Sequence, residues 1–193
     1  MAFPPNLRAP AKIQLAKLES WTASADDGVK YFSGTATYTK TLQAPPTWFR
    51  PGAKVLLDLG AVKDLVDVSV NGKPLATLWK PPYQVDVTGV LKPGPNQLEF
   101  RVTNEWSNRQ PGDRLGPPEK RVLAAPAGML GGRSAPPQAA HAGAAPAAGR
   151  GGAPPVQAQG GGAGGAFGGR GPQTPAESGL LGPVTVLSVA AAR

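Results

Sequence analysis

Cysteine is absent from the 193 residues, which excludes disulfides and thiolate metal sites and leaves the redox compartment unreadable. The one histidine, His141, stands in low-complexity sequence, so neither a metal centre nor imidazole acid–base chemistry is expected, and no cofactor is implied. Apolar runs are short. None approaches the ~20 residues of a membrane-spanning helix, and no membrane partner is expected. The amino terminus, MAFPPNLRAP, has one early arginine and lacks the apolar stretch that a signal peptide requires. The expectation is a cytoplasmic protein, or a fragment of a longer secreted or periplasmic one. Aromatic residues make up 6% of the chain, and acids are few in its second part. Met1–Leu123 holds 16 basic and 11 acidic residues, a net +5, against 4 and 1, a net +3, in Ala124–Arg193. The overall +8 is therefore spread out instead of gathered into a nucleic-acid-binding stripe.

What the chain has in excess is glycine and proline, 26 and 23 residues, near the level at which low-complexity segments are expected. They concentrate in Ala124–Ala176, which is mostly Gly, Ala, Pro and Gln with three arginines, one phenylalanine and no acid. Such a segment cannot bury enough apolar area to offset the entropy of ordering it. It reads as a long disordered insertion. Its Gly149-Arg150-Gly151-Gly152 and Gly168-Gly169-Arg170-Gly171 pieces offer an alternative reading as an RGG-like nucleic-acid binder. Three arginines without interleaved aromatics favour a passive spacer, and nucleic acid is not an expected partner.

The rest alternates. Leu65–Val70 places Val66, Val68 and Val70 on one face, and Asn71-Gly72 supplies the positive φ angles of a two-residue hairpin turn. Strands are predicted again over Leu75–Trp79, over Tyr83–Val87 beyond the Pro81-Pro82 break, and over Gln97–Val102 after the Lys92-Pro93-Gly94 turn. Upstream, Ser33–Gln43 sets four alternate threonines against Ala36, Tyr38, Lys40 and Leu42, and Lys54–Leu59 carries Val55, Leu57 and Leu59 inward. Ile13–Trp21 is read as a further extended strand, Asp26-Asp27-Gly28 as a turn, and the stretch beyond Val102 as an ordered loop. Leu180–Leu187 regains strand character and is expected to pair back into the sheet, because loop closure grows only logarithmically with length. The fold class is all-β, an antiparallel β-sandwich of jelly-roll type interrupted by the Gly/Pro/Ala-rich insertion. Its parts are a flexible terminus over 1–11, the sandwich over 12–123, the insertion over 124–176, a returning strand over 177–189 and a tail over 190–193.

The run VSVNGKPLATLWKPPYQVDVTGVLKPGPNQLEFRVTNEW resembles the galactose-binding-like jelly-roll domain that accompanies glycoside hydrolases such as β-galactosidases and β-glucuronidases. The matching pieces are Val70-Asn71-Gly72-Lys73, Tyr83, Asp86-Val87-Thr88 and Gly94 with Asn96-Gln97-Leu98. Four further blocks resemble the carboxy-terminal β-domain of bacterial α-L-rhamnosidases: Tyr31 to Tyr38, Leu78 to Tyr83, Asn104 to Asp113 and Ser178 to Val184. The resemblance implies an accessory domain, with a carbohydrate and a catalytic glycosidase domain as partners, and not the catalyst. The family's catalytic carboxylates lie in a barrel that this chain is too short to contain.

Candidate sugar-binding residues follow from chemistry. An indole or phenol can stack on the C–H face of a sugar while amides, guanidinium and carboxylate bond its hydroxyls. Trp79, Tyr83 and Trp106 could form such a platform, with core packing as the alternative. Asn104, Asn108, Arg109 and Asp113 form a polar cluster that could serve a sugar, or could pin its own loop through an Arg109–Asp113 ion pair, which is the favoured reading. Glu105 follows Asn104 as a catalytic glutamate follows asparagine in barrel glycosidases, and a stand-alone hydrolase using it is the enzymatic alternative. Hydrolysis needs a second placed carboxyl group, and none can be identified, so no catalytic residue is assigned.

Overall fold

Alternating apolar residues and positive-φ turns build nine strands and two short helices in the computed structural model, which describes residues 1–5, 7–117, 121–123 and 174–189. The chain divides into two units, 1–123 with 172–193, and 124–171. The expected disordered insertion over 124–176, with its arginine–glycine pieces, and the 190–193 tail lie outside the described residues, apart from positions 174–176.

The largest sheet has the order β1-β7-β4-β5, formed by β1 (Thr35–Ala44), β7 (Gly94–Thr103), β4 (Leu65–Val70) and β5 (Lys73–Leu78), all antiparallel. The β4–β5 hairpin turns at Asn71 (φ 53°) and Gly72 (φ 77°), as an Asn-Gly type I′ turn requires. Val66, Val68 and Val70 are buried together with Leu98, Phe100 and Val102 of β7. A second sheet, β6-β2-β9, comprises β2 (Lys54–Asp58), β6 (Gln84–Asp86) and β9 (Thr185–Val189), and β3 (Ala61–Lys63) pairs with β8 (Gly179–Gly182). Val55, Leu57, Val62 and Leu180 join the valines of the first sheet in one apolar cluster. The all-β, antiparallel expectation therefore holds, and the chain beyond residue 174 does return to pair, as two short strands separated by Pro183-Val184.

Ile13–Trp21 is not a strand. It exchanges backbone hydrogen bonds with other segments only at its two ends, where Ile13 meets Met1 and where the Trp21 N–H donates to the Ser178 carbonyl, and without a neighbour along its length no ladder forms. Its apolar side chains still half-bury against the core, and it ends in a 3₁₀ turn, Trp21–Ala23, capped by Ser20. Within 1–11, read as a flexible terminus, the first residues are tied in: Ala2 bridges both Lys12 and Thr37, and Phe3 packs edge-on against Trp21 and Phe32. The Asp26-Asp27-Gly28 turn is the start of helix α1 (Asp27–Lys30), because the Asp26 carboxylate accepts from the N–H groups of Gly28 and Val29. The loop after Val102 contains a 3₁₀ turn, Trp106–Asn108, that runs into helix α2 (Arg109–Leu115). Pro111 is tolerated there because it lies in the first turn, where its missing N–H has no helical partner.

The returning segment meets Trp21 at Gly179. Gly179 has φ +100°, and a Cβ placed on it would fall 2.4 Å from Trp21 Nε1, while its neighbour Leu180 donates its N–H to the Tyr38 hydroxyl at 3.2 Å. Gly72 has a comparable φ with open space around it. Gly72→Ala should therefore cost about 1 kcal/mol from backbone strain alone. Gly179→Ala adds the clash and should cost roughly 3 kcal/mol or more. Urea unfolding of both variants checks this, and equal losses would contradict the packing described at Trp21.

Candidate functional site

The polar candidates gather at the junction of β7, α2 and the returning chain. Asn104, just past the end of β7, accepts the Gly34 N–H on Oδ1 at 2.9 Å and donates Nδ2 to the Phe32 carbonyl at 2.9 Å. It binds the chain entering β1 to the chain leaving β7. Asn108 faces the returning segment. Its Nδ2 donates to the Ala176 carbonyl at 2.7 Å and to Ser178 Oγ at 2.6 Å, and its Oδ1 accepts the Ala176 N–H at 2.7 Å. One buried amide thus satisfies both backbone groups of Ala176, while those of Ser178 are met by Ser20 Oγ and the Trp21 N–H.

Directly after Asn108, Arg109 and Asp113 form an i,i+4 ion pair with 2.8 Å between Nη2 and Oδ1. Arg109 is 1% exposed, and its Nε also donates to Oδ1 while Nη1 reaches the Leu7 carbonyl. The second carboxylate oxygen of Asp113 accepts the N–H groups of Val122 at 3.0 Å and Leu123 at 2.7 Å. Burial pushes the Asp113 carboxyl up, but the Leu123 N–H, the Arg109 guanidinium and the Val122 N–H together outweigh it and hold the group below its usual value. Each group of this cluster is therefore directed at the chain itself. Asp113 holds the segment that enters the insertion, and Asn108 holds the segment that leaves it.

The aromatic candidates part company. Tyr83 turns inward, with its hydroxyl donating to the Asp64 carbonyl at 3.3 Å. Trp79 turns out and is 67% exposed, with the Lys80 ammonium 5.1 Å from its ring centroid. Trp106 is 49% exposed. Glu105 is exposed and makes no capping bond to the turn it precedes. Among the described residues no group of three or more His, Asp or Glu side chains could hold a metal, and no helix is long and apolar enough to cross a membrane.

A feature that the residue-by-residue reading passed over is a groove of about 390 Å³ between the open edges of the two larger sheets. Its floor includes Tyr38, Leu42 and Phe100 from the first sheet and Leu57 and Val186 from the second, with Leu18 closing one side. Lys40 stands in it, in the row that alternation assigns to the core. The sequence signal was available, since Lys40 interrupts Ala36, Tyr38 and Leu42 at core-facing spacing.

Comparison with known proteins gives three likenesses. The family described as glycosyl hydrolase 2 galactose-binding domain-like matches residues 20–134. A candidate beta-glucuronidase of Formosa agariphila is 47% identical over 111 residues, which is 58% of this chain and 10% of that protein. The solved rhamnosidase of Novosphingobium sp. PP1Y superposes with a TM-score of 0.66 at 34% identity, over 97% of this chain and 14% of its own. This chain thus spans only about a tenth to a seventh of either relative's length. The resemblance read from the sequence blocks agrees with all three.

The Arg109–Asp113 pair yields a prediction with a definite sign. Asp113→Asn strands a buried guanidinium and should cost about 3 kcal/mol near neutral pH. Because the folded carboxyl is depressed, its contribution is complete above the unfolded value of about 3.9 and is lost as pH falls through the folded value. Unfolding free energies measured from about pH 6 down to pH 2 should fall less steeply for Asp113→Asn than for the wild type. Parallel acid limbs would show that the pair contributes nothing to the pH response.

Proposed function

We propose, because the chain belongs to the glycosyl hydrolase 2 galactose-binding domain-like family, that it is a non-catalytic accessory β-sandwich of a glycoside hydrolase and that it works chiefly by packing against the catalytic part. The observation that carries this reading is the use made of the polar cluster. The donors and acceptors of Asn104, Asn108, Arg109 and Asp113 are directed at Phe32, Gly34, Leu7, Leu123 and Ala176, which leaves them badly placed to read sugar hydroxyls. The outer face of the second sheet supports it too. Leu187 is 41% exposed opposite Leu56, and Val189 beyond it is 48% exposed. A row of apolar side chains in water suits a surface that another domain covers. The family likeness favours a carbohydrate-handling assembly, with rhamnose- or galactose-containing glycans as the substrate class.

A second reading, direct sugar contact, has one observation in its favour. Trp79 is 67% exposed at a Pro-Pro bend, with the Lys80 ammonium over its ring, a geometry that suits stacking of a sugar ring on the other face of the indole.

Two measurements separate these readings from each other and from catalysis. The protein should release no nitrophenol from nitrophenyl rhamnoside, galactoside or glucuronide, and turnover abolished by Glu105→Gln would overturn the accessory role. Titration with rhamnose- and galactose-containing oligosaccharides should leave tryptophan emission unchanged if packing is the whole role. A saturable change that disappears in Trp79→Ala would establish sugar contact instead.

A further inference from the structure

We infer that the groove between β1 and β9 is a docking site for an extended peptide segment that carries an acidic residue among apolar ones and is supplied by the remainder of the enzyme to which this module belongs. The inference rests on the accessory reading above and adds the surface and its chemistry.

Three observations specify the occupant. First, β1 and β9 are the terminal strands of their sheets. Beyond the Ala2–Thr37 bridge, one edge of β1 presents backbone N–H and C=O groups without a strand partner among the described residues. An extended segment can complete such an edge by adding a strand. Second, the groove floor is apolar, lined by Tyr38, Leu42, Leu57, Phe100 and Val186, so alternate side chains of the added segment must be apolar as well.

Third, Lys40 fixes the charge. It occupies the core-facing row of β1 between buried Tyr38 and half-buried Leu42, and no ion pair or side-chain hydrogen bond engages it among the described residues. The other lysine of the lining, Lys17, is paired with Glu19 at 3.3 Å on the rim. An unpaired ammonium over an apolar floor is a poor surface for a second copy of this +8 chain and a good one for a carboxylate whose neighbours are apolar. Lys40 is exposed, and a charged residue in the core-facing row of an edge strand also discourages indiscriminate strand pairing. The same residue therefore rejects neutral strands and admits an acidic one.

The test uses the full chain and a short blocked peptide of alternating valine and threonine with one central glutamate, alongside its glutamine counterpart. Amide chemical shifts are followed by NMR. Saturable shifts confined to residues 38–44 and 184–188 are expected with the glutamate peptide. Binding should be about tenfold weaker for the glutamine peptide and for Lys40→Gln, and Lys40→Glu should favour a peptide with central lysine instead. Equal affinity for glutamate and glutamine peptides, or shifts elsewhere, would overturn the inference. Self-association that depends on Lys40 in sedimentation would replace it with an interface between copies, and shifts at the groove with oligosaccharides in place of peptide would replace it with a sugar site. Nitrophenyl glycoside turnover in the same samples judges the accessory reading separately. Turnover with charge-dependent peptide binding would remove that reading and leave the groove standing, and neither turnover nor charge-dependent binding would do the reverse.

Discussion

The fold depends on the capture of residues 174–189 by a sandwich whose other strands lie before residue 104. Without β9 the second sheet would be β2 and β6 alone, and without β8 the strand β3 would have no partner. Besides the strand pairing, several contacts make the capture, beginning with Ser20 Oγ, which accepts the Ser178 N–H, and the Trp21 N–H, which donates to the Ser178 carbonyl. Asn108 supplies both a donor and an acceptor to Ala176, the Tyr38 hydroxyl receives the Leu180 N–H, and the Trp21 indole lies where Gly179 leaves room for it. Trp21 also donates its Nε1 hydrogen to the Tyr38 hydroxyl, so that one phenol oxygen ties the amino-terminal segment, β1 and the returning chain together. Burial raises the Tyr38 phenol above its usual value, which keeps it in the neutral form in which it can serve this junction.

Seen from that junction, the division of labour in the polar residues becomes intelligible. A buried amide or guanidinium has to be satisfied where it sits, and in this protein the nearest unsatisfied groups are the backbone of segments that cannot form ladders. Residues 7, 122, 123 and 176 all lie outside strands and helices, and each is met by a side chain of the Asn108–Asp113 stretch. The cluster does for irregular chain what hydrogen-bonded neighbours do for the strands. Its chemistry is therefore inward, and what faces outward is apolar surface, Trp79 and Lys40.

Much of this was legible in the sequence, for local reasons. A hairpin is specified by its own turn and its own alternation, so Leu65–Val70, Asn71-Gly72 and the following strand could be placed without knowing the rest. The same holds for β1, β2 and β7, whose core-facing residues recur at period two. What failed depended on distant partners. Ile13–Trp21 has apolar spacing compatible with a strand, and only the lack of a neighbouring strand denies it one. Trp79 and Tyr83 flank the same Pro-Pro bend, and nothing local says that one turns to solvent and the other to the Asp64 carbonyl. The Arg109–Asp113 pair was readable because it is local, whereas its bonds to Leu7 and Leu123 were not.

The positions of Asn108 and Asp113 have a consequence for how this chain can vary. The two anchors are five residues apart on one helical stretch, about 7.5 Å along its axis, and they hold the strand of chain that departs at Leu123 and the strand that comes back at Ala176. The sandwich is thereby closed at a narrow neck. The pairing of β8 and β9 is set on the sandwich side of that neck and owes nothing to the number of residues beyond it. Lineages could lengthen, shorten or replace the segment between the anchors while the module kept the same sheets, the same groove and the same exposed tryptophan.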